Sequence, residues 1–269
     1  MSAFVTHLAF ELKTGVRNPT AMLLHYLFPL GFYALMGLIM LEINPLFAET
    51  MLPALVVVTL LSGTVLGLPG QLVEAREAGV YRSFFVNGVP ALSIVAGPLL
   101  GAVLHSLAAS MIVALTAGPI FGVATPESWP WLVAVSTLSA LSFGAIAGLI
   151  GVVSAGSRAT VLWSQLVFLP SMLIGGLMVD LSLLPDTMRP VSALLPSTHG
   201  MQALLGLAYR TEAVFDPVVS LAVLAAAGVL ALLLSLWLFS WDRQNQTRRH
   251  SAAWAVAVVV PFLIAAVLA

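Results

Sequence analysis

Gln71-Leu-Val-Glu-Ala-Arg-Glu-Ala-Gly-Val-Tyr-Arg-Ser-Phe-Phe-Val-Asn-Gly-Val-Pro90 is a charged, amphipathic stretch set between two long apolar runs. Both signs of charge occur in it, as Glu74, Arg76, Glu77 and Arg82. Elsewhere charge is scarce: of 269 residues 60% are hydrophobic and 8% charged, with a mean hydropathy of +1.07. A soluble domain carries roughly a quarter charged residues, and this chain has too little polar surface to cover a water-soluble globule. Composition therefore predicts an integral membrane protein. The stretch at 71–90 then reads as a handle that something outside the membrane can pull.

The remaining composition mostly excludes. A net charge of −1 gives no footprint for nucleic acid. With no cysteine, disulfides and thiolate metal sites are ruled out. His7, His25, His105, His199 and His250 lack the paired spacing of a helical metal motif, and each reads as a packed or interfacial residue. The only lysine is Lys13 and no Gly-Lys pair exists, so a P-loop of the form GxxxxGK[ST] is impossible. The first twenty residues carry Glu11, Lys13 and Arg17 and lack a compact apolar core before a small-residue cleavage site. Insertion is expected to be directed by the first span.

A membrane helix needs about 20 mostly apolar residues. Six runs satisfy this, near 22–41, 51–70, 90–117, 131–153, 159–179 and 217–240, and 251–269 is about long enough for a seventh. With the N-terminus in the cytoplasm, Lys13, Arg17, Arg76, Arg82, Arg158, Arg243, Arg248 and Arg249 all face inward, and only Arg189 and Arg210 face outward. That bias obeys the positive-inside rule and sets the expected orientation.

Ahead of the first span, Phe4, Val5, Leu8, Ala9, Leu12 and Val16 fall on one side of a helix. Thr6, His7, Glu11, Lys13, Thr14 and Arg17 fall on the other, with Phe10 the exception. The period predicts an interfacial helix over about 3–17. Asn18-Pro19 ends it, because proline lacks an amide hydrogen and restricts the residue before it. Small-residue pairs at Gly63/Gly67, Gly97/Gly101 and Gly144/Gly148 read as sites of close helix packing.

Order then becomes informative: an interfacial helix, two spans, the Glu/Arg-rich loop ending in Asn-Gly-Val-Pro, and after span five the segment Gly175-Gly-Leu-Met-Val-Asp-Leu-Ser-Leu-Leu-Pro-Asp-Thr-Met-Arg-Pro-Val-Ser-Ala-Leu-Leu-Pro-Ser-Thr-His199. This resembles the permease subunit of an ABC-2 type transporter. That family's inner loop reads as an acidic–Arg–acidic run, a Gly, and an apolar stretch ending near Pro; Glu74–Gly79 and Phe84–Pro90 are similar to it. Its outer segment places a Gly pair and two Leu-Pro steps before the last span, as do Gly175-Gly176, Leu184-Pro185 and Leu195-Pro196. The resemblance covers roughly residues 1–240.

The resemblance implies an all-α integral membrane protein. It has a six-span core over 1–240 with an N-terminal interfacial helix, a coupling loop at about 71–89 and re-entrant outer helices at about 180–200. Residues 241–269 are expected as a basic cytoplasmic linker and an extra seventh span, a departure from the family's six. Glu74, Arg76, Glu77, Gly79 and Arg82 would couple to a separate ABC-type ATP-binding subunit, which carries the ATP and magnesium; this chain would hold no cofactor. The alternative for these charges is a plain solvated loop. A second permease copy or a paralogue would face this one across the path, in the cytoplasmic membrane of a prokaryote. Ser62, Thr64, Gln165, Ser171 and Met172 are candidate path residues, the alternative being polar groups satisfied between helices. The segment broken by Pro185, Pro190 and Pro196 would form an outer gate, with Pro185 and Pro196 its markers, or else a plain extracellular loop.

The function so implied is export of a hydrophobic or amphipathic substrate such as a drug, antibiotic or lipid-like molecule. An ion-coupled secondary transporter is the alternative, yet no Asp, Glu, Lys or Arg lies mid-span, which leaves only His25 and His105. An intramembrane enzyme would need a nucleophile, base and orienter that no motif brings together.

Overall fold

The computed structural model describes residues 3–44, 47–241 and 251–268. Arg243, Arg248, Arg249 and His250 lie outside these, as do the side chains of Phe4, Val5, Thr6 and His7. The fold is 84% helical, with no strand among the described residues. In chain order the helices are α1 (Ala3–Arg17), α2 (Pro19–Ile43), α3 (Phe47–Glu77), α4 (Val80–Val86) and α5 (Ala91–Phe121). They continue with α6 (Trp129–Val153), α7 (Ser157–Ile174), α8 (Pro196–Ala203), α9 (Pro217–Leu238) and α10 (Val260–Leu268).

Five of these, α2, α3, α5, α6 and α9, are long and apolar enough to cross a membrane. They match the first four runs and the sixth. The fifth run differs: α7 has 18 residues, about 27 Å at 1.5 Å per residue. It carries Arg158 and Gln165 and stops at Ile174, where Gly175 and the left-handed Gly176 (φ +81°) turn the chain.

Local chemistry explains the breaks. The Asn18 side chain accepts from the amides of Thr20 (2.9 Å) and Ala21 (3.2 Å), capping α2 while Pro19 fills its first turn. The helix widens into π turns at Leu23–Leu27 and Ser62–Leu66, just ahead of Pro29 and Pro69. A proline ring displaces the carbonyl four residues back, and a wider turn accommodates it.

The central helix is α3, with 94% of its most apolar window buried, against 22% for α2 at the edge. α6 and α9 approach closely: a Cβ on Gly228 would lie 3.0 Å from the Ser142 Cα, and Ser142 Oγ donates to the Leu224 carbonyl at 2.8 Å. Outward faces stay apolar, with Leu27 and Leu38 on α2 and Leu162, Leu166 and Leu173 on α7 exposed, as lipid contact requires. Exposed tryptophans mark both ends, Trp129 and Trp131 at the start of α6 and Trp237 and Trp254 at the opposite side, where ring-bearing anchors suit a membrane interface.

α1 runs over Ala3–Arg17, and it meets the bundle along the side that carries Glu11 and Gly15. Glu11 Cβ lies 3.4 Å from where a Gly101 Cβ would sit, and the Leu12 carbonyl meets His105 Nε2 at 3.2 Å. Val16 and Phe10 point outward. Small residues on both helices, Gly15 and Gly101, let the backbones approach along the Glu11 side. The tail also differs from a single helix. Residues 252–259 form a 3₁₀ stretch and Pro261 sits in the first turn of α10. Trp254 meets Trp237 (6.3 Å between centroids) and Phe262 meets His199 (5.6 Å), so the tail runs back along α9.

Candidate functional site: the α3–α4 elbow

The stretch singled out in the sequence folds as an elbow. α3 continues unbroken to Glu77, and Gly79 (φ +74°) reverses the chain in a left-handed conformation that only glycine adopts readily. α4 then runs for seven residues, and Gly88 (φ +69°) followed by Pro90 leads into α5. Asn87 Nδ2 donates to the Ser83 carbonyl at 2.7 Å and closes the end of α4.

Tyr81 anchors the elbow. It is 4% exposed and its hydroxyl donates to the Leu72 carbonyl at 2.9 Å. Burial pushes its phenol well above the ordinary range, opposed by Arg76, so the group stays a donor. Its ring meets Phe239, which packs on Trp241, which in turn meets Phe85. The short helix is thus tied both to α3 and to the chain just past α9.

The charges divide. Glu74, Glu77 and Arg82 are exposed, as are Val80, Phe85 and Val86. Glu77 Oε2 accepts from the Ser157 hydroxyl at 3.5 Å, reaching the start of α7. Arg76 turns inward: Nη1 donates to the Val152 carbonyl at 2.9 Å and Nη2 to the Ser154 carbonyl. Its place is therefore between helices, satisfying the terminal carbonyls of α6 and bolting them to α3. Sequence reasoning placed Arg76 with the outward charges because a carbonyl partner some 76 positions away leaves no local signal.

The path candidates lie on α3 and α7. Ser62 and Thr64 are fully buried and donate to carbonyls of their own helix, Thr59 (3.2 Å) and Leu60 (2.7 Å). Ser171 and Met172 are buried, Ser171 Oγ without a partner, and Gln165 is half-buried. The polar groups on α3 are satisfied within one helix rather than between helices.

At the opposite end, Pro185 is exposed whereas Pro196 is buried and opens α8; prolines start the short helices here rather than break them. α8 is polar yet wholly buried, and its first turn caps what precedes it. Thr198 Oγ1 donates to the Ser192 carbonyl (2.7 Å) and His199 Nε2 to the Ala193 carbonyl (2.8 Å). Gln202 Oε1 accepts from the amides of Val214 (2.6 Å) and Phe215 (3.2 Å). Irregular backbone covered by protein is the condition for such a segment at membrane depth. Sequence reasoning missed Gln202; its signal was a polar residue one turn from His199 in an apolar chain. Among the described residues no group of three or more His, Asp or Glu is placed to hold a metal.

Residues 2–209 match the family profile of the ABC-2 type transporter, and the chain belongs to that family. It is a permease subunit of an ABC transporter, a membrane component not itself catalytic, and membership implies association with an ABC ATP-binding subunit. The match ends at Tyr209, six residues past α8, and so takes in the elbow and the outer segment with α8. No curated protein and no solved structure matches the chain.

Proposed function

We propose that this permease serves an ATP-driven exporter of hydrophobic or amphipathic molecules in the cytoplasmic membrane of a prokaryote, with the N-terminus inside. Its separate ATP-binding subunit, carrying ATP and magnesium, docks on α4 and the last turn of α3. The observation that carries this reading is the elbow: a seven-residue helix set off by two left-handed glycines, exposing Glu74, Arg82, Phe85 and Val86, and fixed to the bundle through Tyr81. A partner's push on α4 passes to α3 at Leu72, and from α3 through Arg76 to α6. Exposed charges form charge-assisted hydrogen bonds with a soluble partner.

A substrate path beside α3 and α7 would be mostly apolar, because the hydroxyls of Ser62 and Thr64 are already spent. That supports a greasy cargo passing between this chain and a second copy or paralogue, with the 180–203 segment, exposed at Leu183 and Pro185 and buried along α8, as outer gate. The antiparallel course of the tail along α9 supports a seventh span. Export by the reconstituted complex tests the docking surface. Glu74→Lys is expected to leave the permease in the membrane while export per ATP hydrolysed falls by about tenfold or more, an interfacial charge reversal costing several kcal/mol. Unchanged export by this variant rejects docking at the elbow.

A further inference from the structure

Residues 251–268 lie beyond the stretch that matches the family, and what they cover is specific. Two residues of α10 three positions apart, Phe262 and Ala265, are 3% and 7% exposed. Val260, Leu263, Ile264 and Val267 are all exposed and apolar. Residues three apart share a helix face. α10 therefore has one narrow edge toward protein and is otherwise suited to lipid.

That edge meets two elements at once, α9 and the short helix Arg189–Ser192 of the outer segment. Between them stands His199 of α8, whose ring lies 5.6 Å from that of Phe262 at an interplanar angle of 32°. A carbonyl only accepts, so His199 Nε2 donates to Ala193 at 2.8 Å, and Nδ1 accepts from the Ser220 hydroxyl of α9 at 3.5 Å. His199 thus ties the outer segment to α9, and Phe262 closes over the tie.

Two features make this cover removable. Among the described residues, 252–268 form no hydrogen bond or ion pair with the bundle, so packing alone holds them there. Lipid tails are as apolar as valine and leucine, so such contacts separate at small cost. The stretch leading to α10, Ala252–Val259, is a 3₁₀ run of eight residues. Runs longer than about three or four are uncommon, and such stretches often mark a hinge.

We propose that α10 is a strap over the outer segment. It holds His199 and the Arg189–Ser192 helix against α9, and it swings off about the 3₁₀ stretch when the segment opens. Its part in transport rests on the reading of 180–203 as the outer gate; the closure itself does not.

The closure is tested on the full-length permease alone in lipid nanodiscs. Ser220→Cys, at 1% exposure beside His199 and in the first turn of α9, reports on the covered seam through its rate with a water-soluble maleimide. Ser106→Cys, buried on α5 away from the tail, is the control. Phe262→Ala is expected to raise the rate at Ser220→Cys about tenfold by easing local opening and to leave Ser106→Cys unchanged. Phe262→Leu, which refills the edge, should restore protection. An unchanged rate at Ser220→Cys, or equal rises at both positions, overturns the strap.

Release is tested in the complex with the ATP-binding subunit in proteoliposomes. Benzoylphenylalanine in place of Phe262 should crosslink on illumination to the outer segment around His199 without nucleotide. The yield should fall several-fold when ATP and vanadate trap the subunit. An equal yield in both conditions makes α10 a fixed element and overturns its release. The two readings fail differently: export with a constant crosslink removes the strap alone, while a complex that traps nucleotide but exports nothing removes the exporter reading and leaves the nanodisc result standing.

Discussion

Arg76 shows how much a single side chain decides in so apolar a bundle. It spans from α3 to the carbonyls of Val152 and Ser154, which the α6 helix cannot satisfy itself. Arg76→Ala leaves those acceptors without their charged donor at a cost of about 2 kcal/mol, read as a lower thermal midpoint in detergent. Arg76→Lys restores only part, since an ammonium cannot serve both carbonyls with a planar fork. His199 acts similarly at the far end, where its Nε2 donates to the Ala193 carbonyl.

At the scale of elements, α4 matters because it is too short to be stable by itself. Its position comes from Gly79, Gly88 and the Tyr81 anchor. Gly79→Ala forces a side chain into the left-handed region at about 1–2 kcal/mol, although nothing lies within 4 Å of the added Cβ. The strain is therefore conformational rather than steric. The variant is expected to insert normally and to show weaker co-purification with the ATP-binding subunit, and intact co-purification would detach docking from α4 geometry. The glycine and the following proline were legible in the sequence as punctuation. The Tyr81 anchor was not, because a hydroxyl bonded nine residues back has no periodic signature.

For the whole molecule, the open matter is the path of the tail. The chain has no cysteine, so single cysteines report on topology without background. Ser83→Cys should react with a membrane-impermeant maleimide only after permeabilisation, and Leu183→Cys, 75% exposed, from outside intact cells. Val267→Cys, 86% exposed, should also react from outside. If it needs permeabilisation, the seventh span is rejected and the tail turns back. The five long spans were readable because twenty apolar residues in a row have few other uses. α8 was less so, since a polar octamer reads as a loop until Thr198, His199 and Gln202 are seen to spend their polar atoms on neighbouring backbone.

By itself the sequence determined the solvent this protein lives in, where the long helices lie and where charge could gather, because hydropathy and proline chemistry act within a few residues. Only the tertiary structure decided which charges face outward, which polar groups are consumed, and that α1, α2, α3, α4 and α5 enclose a cavity at the elbow end. Those outcomes depend on partners many tens of residues away, brought within 3 Å by packing that no local pattern encodes.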